Sequence, residues 1–298
     1  MARYTQRKLF LYTLHAHNAG TAIPDYRALF EGLGRLSVAQ RSKTSPSKLV
    51  ALRRLTLDGD FVRITAYEGP PGVEPLIFNL ASDEERIEDL ADREVLATRT
   101  HAVVNLKNRD VVVEYNHRGA KAFDIESILQ SAARAHTKWR KLEVELSPVA
   151  SPDFARSIDE FDAIKIATLN IVRPNLNWVR EKNHADAIAA ESDGGRVGVS
   201  VFAGRDQSLA KSRGMVALIK SLTRESKSNL KNASVVGRRS GEQSDTKISL
   251  EKHLEHRVAR VELGRGGHPE TRSVDARIDE FLVAREAALS RRGRNTVE

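Results

Sequence analysis

A tight turn between two β-rich runs restricts the fold more than any other feature. Residues 49–68, LVALRRLTLDGDFVRITAYE, place Asp58-Gly59 between runs rich in β-branched side chains. Glycine at that point supplies the positive φ that a tight hairpin turn requires. The sequence therefore predicts a β-hairpin here. Residues 100–116, THAVVNLKNRDVVVEYN, predict a second hairpin that turns at 107–110.

Alternation of apolar and polar residues locates the other strands. Leu142, Val144 and Leu146 alternate with Glu143 and Glu145, which predicts a half-buried strand that is antiparallel or at a sheet edge. Residues 164–172, IKIATLNIV, are apolar on both faces and predict a central strand. Further strands are predicted at residues 8–16, 76–80, 196–204, 233–237 and 256–263.

Helical spacing of apolar residues appears between these strands. It predicts helices near residues 24–33, 82–94, 124–137, 153–161, 178–190 and 274–289, and one more in a basic stretch described below. The predicted fold class is α+β, with mixed, largely antiparallel sheets and packed helices. We expect a hairpin-rich α+β domain over residues 1–137 and an α/β domain over 138–298 that carries the basic helix and the C-terminal helix.

Composition excludes several classes of site. The 298-residue chain contains no cysteine, so disulfides, thiolate zinc sites and cysteine nucleophiles are excluded. Thr13, His15 and His17 interrupt the apolar run near the N-terminus, which therefore resembles neither a secretory signal nor a membrane span. We expect a soluble, cytoplasmic protein with no membrane partner.

Nearly all of the net charge lies in residues 205–239. Nine Lys and Arg residues face two acids there, which accounts for +7 of the chain's formal +8. At roughly 100° per residue, a helix would place the basic residues on one stripe and Met215, Leu218 and Leu222 opposite. Such a cationic stripe favours a polyanion as partner, although a solvated helix face gives the same pattern. The stripe consists of Arg213, Lys220, Arg224, Lys227 and Lys231.

A second basic cluster supports nucleic acid as that partner. It contains Arg35, Arg41, Lys43, Lys48, Arg53 and Arg54, with no acid before Asp58. The basic helix has no aromatic residue, so backbone contact to a duplex or structured RNA is favoured there over base stacking. The residues predicted to contact phosphate are Arg53, Arg54, Arg213, Lys220, Arg224, Lys227, Lys231, Arg238 and Arg239.

Four other residues raise the alternative of a Mg²⁺-dependent nuclease. Such an enzyme needs carboxylates that converge on Mg²⁺ and usually a lysine near the attacked phosphate. Glu143 and Glu145 share one strand face, and Asp162 and Lys165 open the next strand. Alternating acids on an exposed strand face are also common without any catalytic role.

Two histidine pairs are possible metal ligands. His15 and His17 would share one strand face, and His253 and His256 could lie together on a helix. Neither pair has an obvious third ligand nearby, so packed or surface histidines are the favoured interpretation. No phosphate-binding loop and no G-x-S-x-G nucleophile motif is present. We predict no catalysis and no cofactor, apart from Mg²⁺ under the nuclease alternative.

The last predicted helix offers a third class of function. Leu282 and Leu289 could dock on another subunit, which would make the protein an interaction subunit or a homo-oligomer. The same residues could instead close the chain's own core, and that interpretation is favoured.

Several segments together resemble a known bacterial family. They are KLFLYTLHAHNAG with DYRALF, LTLDGDFVRITAYEG before EPLIFNL, HAVVNLKNRDVVVEY, and LEVELSPV followed by IKIATLNIVRPN. The family is recorded only as a domain of unknown function, and the likeness spans most of the chain. The resemblance implies a bacterial or phage-derived cytoplasmic protein, but it carries no activity or site residue. A link to phage defence is a hypothesis.

Overall fold

The computed structural model describes residues 2–18, 21–22, 25–80, 83–91, 94–172, 196–225 and 228–294. These residues form fifteen strands and five α-helices. The helices are α1 (Tyr26–Gly34), α2 (Ala122–His136), α3 (Pro152–Asp159), α4 (Gly214–Arg224) and α5 (Thr271–Arg294).

The larger of two main sheets has nine strands. Its order is β10-β1-β9-β8-β5-β4-β3, and both β2 and β15 also pair with β1. The strands are β1 (Arg3–Asn18), β2 (Thr21–Ala22), β3 (Ser42–Ser45), β4 (Lys48–Asp58), β5 (Phe61–Gly69), β8 (Thr98–Asn105), β9 (Asp110–Tyr115), β10 (Leu142–Pro148) and β15 (His256–Leu263).

Strand β1 organises this sheet. It is 16 residues long. It pairs with β15 through residues 3–10, with β9 through residues 8–13 and with β10 through residues 12–18. Because side chains alternate along a strand, β1 supplies apolar residues to two separate cores. Leu14 and Ala16 pack with α1 and α2 on one face, whereas Leu9 and Leu11 pack under α5 on the other.

The smaller main sheet has four strands in the order β12-β11-β13-β14. Helices α3 and α4 cover one face of it through Phe154, Ile158, Val216 and Ile219. The strands are β11 (Phe161–Val172), β12 (Arg196–Phe202), β13 (Leu230–Arg239) and β14 (Thr246–Ser249). A separate two-stranded sheet is formed by β6 (Leu76–Asn79) and β7 (Glu84–Ile87).

A buried polar network fixes the start of α5 to the large sheet. His101 Nδ1 donates to Glu114 Oε2 at 2.7 Å, and His101 Nε2 lies 3.1 Å from Thr271 Oγ1 at the start of the helix. Glu114 also pairs with Arg7 at 3.0 Å. Arg7 and His101 therefore compensate the charge of the buried Glu114, as a buried carboxylate requires.

The fold class and most predicted elements are confirmed. The protein is α+β with antiparallel sheets and packed helices. Gly59 has φ 59° at the turn between β4 and β5, and Arg109 has φ 65° between β8 and β9, so both hairpins turn where predicted. β10 lies at a sheet edge, and β11 is central with neighbours on both sides. The predicted helix at 178–190 lies outside the described residues.

The predicted acidic helix at 82–94 is wrong. In the described part of that segment, Glu84–Ile87 is a strand paired with Leu76–Asn79. Acids in the first turn suit a helix dipole, but the segment has too few apolar residues at helical spacing to pack one face. Strand pairing of residues 84–87 with the β-rich run at residues 76–79 forms instead of the helix.

The sheets do not divide at residue 137. β10, β15 and α5 all follow residue 137, yet they join the nine-stranded sheet, and the four-stranded sheet lies between β10 and β15 along the chain. β10 and β11, which precede and follow α3 along the chain, enter different sheets. In the part of the chain that the structure describes, no helix is long and apolar enough to cross a membrane.

Packing under α5 can be tested with two residues of that helix. Ile278 is fully buried, whereas Val283 is 61 % exposed. Ile278→Ala should lower the free energy of unfolding by about 2–5 kcal/mol, because it leaves a cavity in a packed core. Val283→Ala should change it by less than about 0.5 kcal/mol. Urea denaturation measures both, and equal effects would contradict this packing.

Candidate nucleic-acid interface

The predicted basic stripe does not lie on one helix. Helix α4 ends at Arg224, and Lys231 lies on strand β13. The prediction of one continuous helix is therefore wrong, because residues 230–239 alternate between buried and exposed and pair with β11 and β14 instead. Arg213 and Arg224 are exposed at the two ends of α4. Lys227 lies outside the described residues.

Lys220 of the predicted stripe, and two further residues that were predicted to contact phosphate, form ion pairs within the protein. Lys220 Nζ lies 2.5 Å from Asp159 Oδ1. Arg238 pairs with Asp245 at 3.1 Å, and Arg239 pairs with Glu160 at 3.0 Å. A nucleic acid would have to compete with these carboxylates, so the stripe offers less net attraction to phosphate than its sequence indicates.

Lys231 joins the two main sheets. Its ammonium lies 2.7 Å from Glu145 Oε2 on β10 and 2.6 Å from Glu126 Oε2 on α2, and it donates to Leu146 O at 3.2 Å. Burial raises the pKa of Glu126, and the charge of Lys231 opposes that rise. The role of Lys231 is therefore structural, since its donors are directed into the protein.

The second predicted cluster is also largely engaged. Arg54 pairs with Asp275 of α5 at 2.8 Å, and Arg53 donates to Tyr67 Oη at 3.1 Å. Lys48 lies between Asp124 at 2.8 Å and Glu68 at 3.1 Å. Arg54 therefore supports helix α5, whereas Arg53 is exposed and lies over the ring of Tyr67.

The four candidate nuclease residues lie on two different sheets. Glu143 and Glu145 share one face of β10, as predicted, but Asp162 and Lys165 lie on β11. Lys165 donates to Gln207 O at 2.9 Å, and Glu145 binds Lys231. Among the described residues, no group of three or more His, Cys, Asp and Glu side chains could hold a metal ion.

The histidine pairs have ordinary environments. His15 and His17 are buried on the same face of β1, and His15 Nε2 lies 3.2 Å from Ser228 O. Burial and the charge of Arg109 lower the pKa of His15 to about 3, so this imidazole is neutral at pH 7. His253 follows a 3₁₀ turn, and His256 begins β15, so the two do not share a helix.

A surface that the sequence did not indicate combines aromatic and basic side chains. It lies on the N-terminal half of β1 and on its neighbours β9 and β15. Strand register places Lys8 opposite both Tyr115 and Val258, Phe10 opposite His256, and Gln6 opposite Arg260. We call this surface the aromatic–basic face, and it consists of Tyr4, Lys8, Phe10, Tyr115, Lys121, His256, Val258 and Arg260.

The rings on this face are stacked with cations and with each other. The Arg260 guanidinium lies 4.1 Å from the ring centroid of Tyr4, and the Lys121 ammonium lies 4.9 Å from that of Tyr115. Phe10 and Tyr115 meet edge to face at 5.7 Å. These contacts hold the rings in place, since cation–π and edge-to-face pairs each contribute about 0.5–1.5 kcal/mol.

The aromatic–basic face is open to solvent. Tyr4, Tyr115 and Val258 are between 44 % and 51 % exposed. Lys8 and Arg260 are also exposed, and one acid, Glu262, lies opposite Tyr4. An apolar patch of this kind that carries surplus positive charge typically marks a binding surface.

Helix α2 extends the face toward β4. Phe123 is exposed two residues after Lys121, and the Lys48 ammonium lies 5.3 Å from its ring centroid. Beside that ring is a cavity of about 290 Å³, lined in part by Lys43, Lys48 and Ser127. The ring, the cavity and Lys43 continue the chemistry of the face, whereas the charge of Lys48 is compensated by Asp124 and Glu68.

Sequence reasoning missed the aromatic–basic face because its rings are far apart along the chain. Tyr4, Tyr115 and Arg260 belong to three strands that only the strand register brings together. A partial signal was present, since Tyr4, Lys8 and Phe10 are separated by even numbers of residues, as residues on one strand face are. Comparison with protein-family models and with curated proteins finds no match for this chain.

The buried His15 makes stability depend on pH. The unfolded imidazole binds a proton below about pH 6.5, whereas the folded one stays neutral to about pH 3. Its contribution is therefore complete above pH 6.5 and is lost as the pH falls toward 3. Between pH 7 and pH 5, the wild type should lose about 2 kcal/mol more unfolding free energy than His15→Asn.

Urea denaturation at the two pH values measures this difference. Leu14→Ala is the control, because it weakens the core without removing a titratable group. A His15→Asn variant with the full pH dependence of the wild type would contradict a neutral buried imidazole.

Proposed function

We propose that the protein binds single-stranded nucleic acid on the aromatic–basic face, without base specificity. Bases stack on Tyr4 and Tyr115, and phosphates lie against Lys8, Lys121 and Arg260. The observation that supports this proposal is the placement of exposed rings beside cations on one open sheet face.

The chemistry of the face fits an unpaired strand better than a duplex. Stacking on an aromatic side chain requires a base whose face is accessible, and each such stack contributes about 1–3 kcal/mol. A duplex hides its base faces and presents only phosphate and groove edges. Exposed aromatic rings would therefore contribute little binding energy with a duplex.

The length of the face indicates a short binding site. Tyr4 and Phe10 are six residues apart on β1, which corresponds to about 20 Å at ~3.4 Å per residue. The cavity beside Phe123 continues the site past Lys121. A short oligonucleotide that crosses the three strands would reach both ends.

This proposal keeps nucleic acid as the partner but moves the contact surface. The phosphate contacts predicted on α4 and β13 are weakened by ion pairs to Asp159, Glu160 and Asp245. Lys8 and Arg260 were not among the predicted contacts. The bacterial setting remains a prediction from the resemblance alone, and the link to phage defence remains a hypothesis.

Replacing the two exposed tyrosines tests the proposal. Each of Tyr4→Ala and Tyr115→Ala should weaken binding of a labelled oligouridylate by about five- to a hundred-fold, because each removes one stacked base. Fluorescence anisotropy measures the affinity. Phe202→Ala is the matched control, since Phe202 is an exposed aromatic residue on the other sheet.

A second variant separates the two surfaces. Arg213→Glu with Arg224→Glu reverses the charge at both ends of α4 without breaking the Lys220 ion pair. It should leave oligouridylate affinity within a few-fold of the wild type. If this variant abolishes binding while the tyrosine variants bind normally, the interface lies on α4 and the proposal fails.

A further inference from the structure

One segment between two strands of the large sheet contributes no residue, in its described part, to the three hydrophobic cores. Residues 73–97 leave the large sheet at the end of β5 and return at the start of β8, and they contain the β6–β7 hairpin. We call this segment the acidic arm. None of its described residues is buried. An isolated two-stranded hairpin is only marginally stable in water, which favours a partner surface.

One face of the hairpin carries three exposed apolar side chains. Leu76 on β6 pairs directly with Ile87 on β7, and Phe78 lies two residues further along β6 on the same face. These three side chains are 62 %, 62 % and 53 % exposed. The other face carries Ile77 opposite Arg86. Three adjacent large apolar side chains in water form a docking face rather than a scattered surface.

The arm and the rest of the chain have opposite charge. Residues 73–97 contain eight acids and two arginines, a net charge of −6. Since the whole chain has a formal charge of +8, the remainder carries +14. An apolar hairpin rimmed by carboxylates therefore complements a surface that is both aromatic and basic.

We propose that the acidic arm docks on the aromatic–basic face of a second copy of this chain. This inference rests on the proposed function in one respect, because arm docking and nucleic-acid binding use the same aromatic–basic face. Leu76, Phe78 and Ile87 pack against Tyr4, Phe10 and Val258 of the other copy. The acids around the hairpin meet Lys8, Lys121 and Arg260.

The position of the arm favours a closed, two-fold dimer. The arm returns to the sheet at Thr98 on β8, and β8 pairs with β9 through Ala102 and Val113. Asn116 Nδ2 also donates to Arg99 O at 3.0 Å. Since the root of the arm borders the face, two copies can exchange arms reciprocally, which closes the assembly at two subunits.

Docking of the arm regulates the proposed activity. An arm on the face occupies the rings and cations that a single strand requires, so dimerisation and nucleic-acid binding compete. Dilution or an excess of oligonucleotide shifts the protein to the monomer that binds nucleic acid. The exposed arm is then an autoinhibitory element that acts between copies.

The experiment measures molar mass and oligouridylate affinity on the full chain. Mass is followed by sedimentation across a concentration series, for the wild type and three variants. The first variant carries Leu76→Ser, Phe78→Ser and Ile87→Ser in the arm. The second carries Tyr4→Ala and Tyr115→Ala in the face. The control is Ile77→Ser on the opposite side of the hairpin.

We expect the wild type and the Ile77→Ser control to be dimers at high concentration. The arm and face variants should each have half that mass. Since the arm is outside the cores, the arm variant should keep the melting temperature that the wild type has at concentrations where the wild type is monomeric. It should bind oligouridylate at least ten-fold more tightly than the wild type at protein concentrations where the wild type is dimeric.

The two proposals fail in different ways. A monomeric wild type, or a dimer that survives the arm changes, overturns the arm inference and leaves the proposed function intact. A dimer lost in the arm variant but kept in the face variant also overturns it, because the arm then docks elsewhere. Loss of the dimer in both the arm and the face variants, with no oligouridylate binding by the arm variant, supports the docking and overturns the proposed function.

Discussion

Backbone pairing along β1 is the interaction on which the rest of the structure depends. This strand connects partners from the middle of the chain, β9 and β10, with β15 from near its C-terminal end. Its two faces supply the apolar residues of two cores, and the open face of its N-terminal half carries the proposed binding surface. A shift of one residue in its register would exchange the two faces. Both cores and the proposed binding surface would then be lost.

Local signals in the sequence predicted much of the fold. The turn at Gly59, the alternation around Val144 and the helical spacing of residues 124–137 each depend on neighbours within a few residues, and each element formed as expected. The acidic helix was wrong, and the two main sheets do not follow the expected division at residue 137. Both depend on pairing between separate segments, which local periodicity does not determine.

The electrostatics of the candidate site also depend on contacts between residues that are distant in the sequence. A count of lysines and arginines found the basic stretch, but it could not show that Lys220 and Lys231 face carboxylates from α3, α2 and β10. Those acids are 61 to 105 residues away along the chain. The aromatic–basic face has few formal charges, and its rings and cations meet only through strand register, so composition gave no sign of it.

Photochemical crosslinking tests the central claim most directly. A short oligouridylate that contains 4-thiouridine is bound to the full chain, irradiated and digested, and the modified residues are identified by mass spectrometry. Binding on the open half of β1 predicts crosslinks at Tyr4, Phe10 and Tyr115. Crosslinks confined to α4 and the segment before it, with none on β1 or β9, would contradict the proposed site.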